Sequence, residues 1–162
     1  MNMTHYMELL ATNQPWNLLI FMAVPVILAE TIAVSELYIL FTRNLTGIVR
    51  NINKIAGILV GFYFLVIFLH LFFKAVIPIT MAGQWRTIID VIAVGFYLLG
   101  VVPLLGISLL ELNLIAKHKS EESKLKIHAT FVAIFLVVAH IAMIFGMLSP
   151  AVLGGHSEMP GM

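Results

Sequence analysis

Long apolar stretches alternate with short polar segments along the whole chain. The apolar stretches cover residues 16–41, 55–79, 87–116 and 125–148. Each is long enough to cross a membrane, because a helix rises about 1.5 Å per residue and needs about 20 apolar residues to span the hydrocarbon core. The pattern therefore predicts an all-α integral membrane protein. We expect four transmembrane helices in an up-down bundle, forming one membrane domain over residues 1–162.

The positions of Lys and Arg predict the orientation of this bundle. The tails carry neither residue, and most of the nine basic residues flank the first and third connections, namely Arg43, Arg50, Lys54, Lys117, Lys119, Lys124 and Lys126. Basic connections stay on the cytoplasmic side of a membrane. Both termini are therefore predicted to lie on the outer side. Nine Met and no Cys fit a bacterial cytoplasmic (inner) membrane.

Composition narrows the functional classes. The chain is 61% hydrophobic and 10% charged, whereas a soluble domain carries about 25% charged residues. The absence of Cys excludes disulfides, thiolate-bound iron–sulfur clusters and thiol catalysis. A net charge of +1 gives no case for nucleic-acid binding. There is no phosphate-binding loop, no HExxH motif and no nucleophile elbow, so no enzyme class is indicated.

Two intramembrane histidines give the main candidate site. His70 and His140 lie at similar predicted depths on helices two and four, which face each other diagonally in a four-helix bundle. Ionisable groups inside a membrane usually mark function. Two facing imidazoles can bind haem b axially. The same pair, together with Glu30 and Asp90, can instead bind copper or another transition-metal ion.

A second set of polar residues predicts a proton relay. Asp90, Tyr97 and Glu111 fall on one face of helix three, because they recur at multiples of seven residues. Tyr63 stands seven residues before His70 on helix two, and Glu36 lies at the predicted depth of Glu111. Such groups on inward faces can hold a water chain, so Tyr63, Tyr97, Glu36 and Glu111 are the predicted relay. Ordinary interhelical hydrogen bonding is the equal alternative.

Two weaker signals lie near the chain ends and the membrane surface. His128 is two residues from Lys126, so it is predicted to be a solvated interfacial histidine. Both tails combine Met with His, as in residues 1–7 and 154–162, and Met143 and Met147 follow His140 along its helix. Thioether and imidazole ligands together suit Cu(I), which makes copper binding at the tails a further expectation.

In outline, the placing of His70 and His140 on facing helices of a four-helix bundle resembles membrane b-type cytochromes. The first hypothesis is therefore a small redox protein with one haem b between helices two and four, with a quinone as its candidate electron-transfer partner. The second is a carrier or channel for a metal ion or protons. The third is an accessory subunit or scaffold of a membrane complex. Besides lipid, a homo-oligomer partner is open in all three.

Overall fold

The structure, a computed structural model, describes residues 4–149. Over that range it is helical and contains no strand. The helices are α1 (His5–Ala11), α2 (Trp16–Thr42), α3 (Ile48–Met81), α4 (Ile88–Glu111) and α5 (Glu121–Met147). Helices α2 to α5 are long and apolar enough to cross a membrane, which confirms the predicted fold class.

The outward faces of these helices are apolar. Val34, Phe41 and Val66, for example, expose 70%, 80% and 66% of their surface. An apolar surface that continues along every long helix is unfavourable in water and favourable in hydrocarbon. The chain is therefore an integral membrane protein whose helices contact the lipid bilayer.

The four long helices pack unequally. α3 packs along α2 and along the second half of α4, whereas α5 packs along both halves of α4. α2 and α5 contact each other at only a few positions. The bundle consequently has a seam between α2 and α5. We call the end with connections 43–47 and 112–120 the basic end, and the opposite end the α1 end.

The α3–α4 crossing depends on small residues. A Cβ atom on Gly61 would lie 2.0 Å from Ser108 Oγ and 2.4 Å from the Leu104 carbonyl oxygen. Ser108 Oγ in turn donates a hydrogen bond to the Gly57 carbonyl at 2.8 Å. Close approach of two backbones, joined by a serine hydroxyl, is a common way to hold membrane helices together without a hydrophobic driving force.

Helix ends differ from the sequence-based bounds. The third transmembrane helix ends at Glu111 and not at residue 116, because Asn113 and Ala116 have φ angles of 56° and 55°. The second begins at Ile48 and not at residue 55, since its polar first two turns are helical as well. Hydrophobicity marks the apolar part of a helix, and this helix continues beyond that part.

Proline and two tyrosines shape α2. A π-helical turn over Leu19–Ala23 precedes Pro25, which has no N–H to donate. The Tyr97 hydroxyl donates to the Phe21 carbonyl at 2.5 Å, and the Tyr63 hydroxyl donates to the Ile20 carbonyl at 3.0 Å. Side chains from α3 and α4 thus replace the backbone donors that α2 lacks at this turn.

The N-terminal segment folds back on the bundle as α1, which packs against α4 and α5. Thr4 accepts a hydrogen bond from the Met7 N–H and donates one to the Gly146 carbonyl at 2.9 Å. The side chains of Tyr6, Met7 and Leu10 lie over the end of the α2–α5 seam. This helix was not predicted, because the segment is short and polar.

Candidate functional site

The seam between α2 and α5 opens into a cleft of about 540 Å³. Its walls are mostly apolar, and α1 closes it at one end. Ligand cavities in proteins typically measure about 300–1,000 Å³ and have this mainly apolar lining. Aromatic and methionine side chains make up much of the wall: Tyr6, Phe21, Phe64, Phe96, Phe135, Met7, Met22, Met143 and Met147. We call this cavity the α2–α5 cleft.

Three of the predicted site residues line this cleft, namely Glu30, Tyr97 and His140. Glu30 forms no hydrogen bond or ion pair with any described residue, as the interactions of residues 4–149 show. His140 Nδ1 lies 2.6 Å from the Leu136 carbonyl oxygen of its own helix, and its Nε2 has no protein partner within the same range. A carboxyl group and an imidazole nitrogen are therefore available to a molecule in the cleft.

His70 lies elsewhere. Its side chain is exposed on the bundle surface and stacks on Phe21, with ring centroids 6.1 Å apart. It does not line the cleft that contains His140. The two histidines that sequence spacing paired for haem b thus do not share this cavity. Within residues 4–149, no group of three or more His, Cys, Asp or Glu is placed to hold a metal ion.

Asp90, the fourth predicted metal ligand, binds α1. It is fully buried, its Oδ1 accepts the His5 backbone N–H at 2.7 Å, and its Oδ2 contacts His5 Nδ1. One turn further along α1, Glu8 forms an ion pair with Arg86. These contacts tie α1 to α4 and to the connection that precedes it, so Asp90 is accounted for by this attachment.

The tails predicted to bind copper are only partly described. His5 is engaged with Asp90, and Met7 lines the α2–α5 cleft. Met143 and Met147 line the same cleft, as does His140. Residues 1–3 and the C-terminal part of that prediction, residues 154–162, lie outside the described residues.

A second polar site lies at the basic end. Glu36 of α2, Arg50 and Asn53 of α3, Glu111 of α4 and His128 of α5 meet there, and we call them the basic-end cluster. Arg50 donates two hydrogen bonds to Glu111, at 2.6 and 2.9 Å. His128 lies between the two carboxylates, with Nδ1 2.7 Å from Glu36 Oε2 and Nε2 3.4 Å from Glu111 Oε1. All four membrane helices contribute to this cluster.

The prediction that His128 is a solvated interfacial histidine is wrong. The residue is 2% exposed, and its ring lies between two carboxylates. The neighbouring Lys126 is largely exposed. Two residues turn about 200° around a helix, so Lys126 faces outward while His128 faces the bundle. Distance along the chain from a charged residue gave the depth of His128 and not the face of the helix on which it lies.

Hydrogen bonding in the cluster is incomplete. Asn53 Nδ2 donates to Ser35 Oγ at 2.9 Å and to Glu36 Oε2 at 3.2 Å. In contrast, Glu36 Oε1 and both ring nitrogens of His128 are buried without a hydrogen-bond partner of good geometry. The contacts between His128 and the carboxylates are therefore close but not aligned. Buried polar atoms without partners are rare in proteins and require an explanation.

A small pocket of about 70 Å³ gives the cluster access to the basic end. Arg50, Glu111 and His128 line it from inside the bundle. Its other charged neighbours are Lys54, Glu121 and Lys124. The Lys124 ammonium group binds Asn113 Oδ1 and Glu121 Oε1, each at 2.8 Å. Glu111 and His128 are thus buried, yet they border a space large enough for water.

The predicted proton relay is divided between these two sites. Tyr97 and Tyr63 cap the α2 carbonyls near the cleft, whereas Glu36 and Glu111 belong to the basic-end cluster. The predicted stripe on α4 does face inward, but the buried side chains between the two groups are mainly apolar: Val60, Phe64, Leu104 and Ile107. No continuous polar path joins them within the described residues.

Residue spacing missed several members of these sites. Arg50 and Asn53 precede the apolar part of α3, so they were assigned to a connection. His5 and Glu8 lie in a segment for which the sequence predicts a polar tail. The one available signal was the spacing of Arg50 and Asn53, three residues apart on what proves to be one helix. Helical periodicity would place both on the same face.

Comparisons with known proteins identify the family of this chain, and the function of that family is unknown. The model of a family of unknown function, DUF6803, matches residues 1–162. The chain therefore belongs to this family. No curated protein and no solved structure matches the chain significantly.

Proposed function

We propose that this DUF6803 member binds a lipid-soluble small molecule of the quinone class in the α2–α5 cleft. The observation that supports this best is the lining of the cleft, which combines apolar walls with the unpaired carboxyl of Glu30 and the free Nε2 of His140. The seam lies between two membrane helices, so a ligand dissolved in the bilayer reaches it sideways without crossing water. The function proposed is binding of this ligand within the membrane.

The walls favour a molecule with a flat ring and an apolar tail. Phe21, Phe96 and Phe135 supply aromatic surfaces, and methionines supply flexible, polarisable ones. Aromatic rings pack well against planar ligands, and methionine adapts to irregular shapes. A volume of about 540 Å³ accommodates a ring and the first part of a chain, while the rest of the chain stays in lipid.

The polar groups favour a head group that exchanges protons. Quinone carbonyls accept hydrogen bonds, and the reduced form carries hydroxyls that donate them. The Glu30 carboxyl and His140 Nε2 can serve both forms, because each group donates when protonated and accepts when not.

The scaffold hypothesis explains Asp90 and Arg50 but not Glu30 and His140. Asp90 holds α1, and Arg50 holds Glu111, so both are adequately described as interhelical clamps. Glu30 and His140 join no helices together. An ionisable side chain facing the hydrocarbon region without a protein partner is unfavourable. A ligand with a polar head group offsets this cost.

Binding of decylubiquinone to the protein in lipid nanodiscs tests the proposal. Titration followed by quenching of Trp fluorescence should show saturable binding. His140→Ala and Glu30→Gln should each weaken it by about tenfold, or about 1.4 kcal/mol. Ala139→Phe should block it by filling the cleft, which Ala139 lines.

The matched control is His118→Ala, which removes an exposed imidazole in connection 112–120, away from the cleft. It should leave the dissociation constant unchanged. Equal affinity of the wild type, His140→Ala and Ala139→Phe would show that the quinone partitions into lipid only, and the proposed function would be lost. Mass spectrometry of molecules co-purified in native nanodiscs gives an independent check, because a specific ligand should be depleted in Ala139→Phe.

A further inference from the structure

We infer that the basic-end cluster is a proton-exchange site, at which His128 and Glu36 take up and release one proton through the pocket at the basic end. This inference is independent of quinone binding in the α2–α5 cleft. The two sites lie at different levels of the bundle, and buried apolar residues separate them. It concerns residues that all four membrane helices bring together.

The charges of the cluster leave one position for a proton. Glu111 is matched by Arg50 in a two-bond ion pair. Glu36 receives only the neutral amide of Asn53 and the contact from His128. With the imidazole protonated, two carboxylates face two cations and the cluster is neutral. Without that proton, one negative charge stays buried and unmatched, which is unfavourable.

The unsatisfied atoms indicate where that proton and its water partners bind. Glu36 Oε1, His128 Nδ1 and His128 Nε2 are buried and lack aligned hydrogen-bond partners. Nδ1 lies 2.7 Å from Glu36 Oε2, a separation at which a shared proton forms a short, charge-assisted hydrogen bond after a small rotation of the ring. Glu36 Oε1 is left without a hydrogen-bond partner among the described residues. A cluster with only a structural role would have all of its buried polar atoms hydrogen-bonded.

The pocket supplies the route. It measures about 70 Å³, which is room for a few water molecules, and His128 and Glu111 form part of its wall. A proton from water at the basic end passes along pocket water to the imidazole and the Glu36 carboxylate, and returns the same way. Glu121 of α5 and the cations Lys54 and Lys124 face the pocket from its rim.

Among residues 4–149, access to the cluster is from the basic end only. Further along the bundle, the buried neighbours of the cluster are the side chains of Val60, Leu104, Ile107 and Val132. Ser108, the one buried hydroxyl on this part of α4, is occupied by the carbonyls of Gly57 and Ile58. Apolar packing of this kind holds no water chain. The site is therefore a terminal proton-exchange site in this conformation and not part of a channel.

Hydrogen–deuterium exchange at the C2 carbon of each imidazole, read by mass spectrometry over a range of pH in lipid nanodiscs, tests this inference. The rate at each histidine follows its protonation and its access to water. His118, exposed in connection 112–120, provides the reference for full access. His128 should exchange with a clear pH-dependent transition although it is 2% exposed.

Glu36→Gln should change the pH dependence of exchange at His128, because it removes the carboxylate that lies 2.7 Å from the imidazole Nδ1. The His118 transition should not move. If His128 in the wild type shows no exchange, or exchange that does not depend on pH, the site is sealed and the inference is wrong. This wild-type measurement needs no variant to fold. Repeating the exchange measurement in Ala139→Phe separates proton exchange at His128 from quinone binding in the cleft.

Discussion

Glu111, at the end of α4, accepts two hydrogen bonds from the guanidinium group of Arg50 on α3, at 2.6 and 2.9 Å. The two residues are separated by most of two membrane helices and one connection. Arginine and carboxylate match in geometry, which makes the two-bond pair strong and directional. This pair fixes the relative position of α3 and α4 at the basic end. Its carboxylate also borders the His128 ring on one side.

We predict that removing one partner of this pair destabilises the protein strongly. Glu111→Gln leaves the Arg50 guanidinium, whose side chain is 21% exposed, without its charged partner. Losing a charge-assisted two-bond contact in this partly buried position costs about 1–3 kcal/mol. Thermal unfolding in detergent should show a much lower midpoint. The control is Glu122→Gln, which alters exposed ion pairs with Arg43 and Lys126 and should cost at most about 1 kcal/mol. Similar losses in both variants would contradict the burial of the Arg50–Glu111 pair.

The close contact of α3 with α4 gives a second prediction. Gly61→Ala places a methyl group 2.4 Å from the Leu104 carbonyl, and a backbone atom cannot move aside easily. The helices must separate, with a loss of about 1–3 kcal/mol as in other overpacked sites. Gly95→Ala is the control, since an added Cβ there meets nothing within 4 Å. A stable Gly61→Ala protein, measured by the same unfolding assay, would argue against this crossing.

Tyr6 makes the attachment of α1 sensitive to alkaline pH. Burial raises the pKa of its phenol from 10.0 to about 12. Between these values the folded protein keeps a proton that the unfolded chain loses, so the free energy of unfolding falls as pH rises from 10 to 12. The full contribution is present below pH 10. Trp85, whose ring lies 6.2 Å from that of His5, should report release of α1 by fluorescence.

Tyr6→Phe removes this ionisable group and should flatten the decline in stability over the same pH range. The matched control is Tyr38→Phe, which removes the hydroxyl group of a tyrosine that is 49% exposed. Identical pH profiles for Tyr6→Phe, Tyr38→Phe and the wild type would mean that Tyr6 does not link α1 to the bundle in the way its burial indicates.

Orientation can be measured directly because the chain contains no Cys. We predict that a maleimide reagent that does not cross membranes labels Thr12→Cys in intact cells, whereas it labels Lys119→Cys only after the membrane is opened. The expectation follows from the concentration of Lys and Arg at the basic end. Labelling of Lys119→Cys alone in intact cells would reverse the orientation.

Sequence by itself determined the class of protein and most of its helices. A run of twenty or more apolar residues is stable in a bilayer as an α-helix, because a helix satisfies its own backbone hydrogen bonds. The four apolar runs, of which residues 16–41 are the first, therefore predicted the membrane helices correctly. The spacing of Asp90 and Glu111 by a multiple of seven residues likewise identified the buried face of α4. Both signals arise within one helix, and regular backbone geometry translates them directly into structure.

Only the tertiary structure decided which side chains meet. The predicted depths of His70 and His140 match, but depth does not fix the rotation of a helix about its axis. The two side chains therefore lie in different surroundings. His128 was assigned to solvent, yet the packing of four helices buries it against Glu36 and Glu111. Partners such as His5 for Asp90 lie 85 residues apart. Contacts of this kind depend on the rotation and spacing of packed helices, which no single helix encodes in its own periodicity.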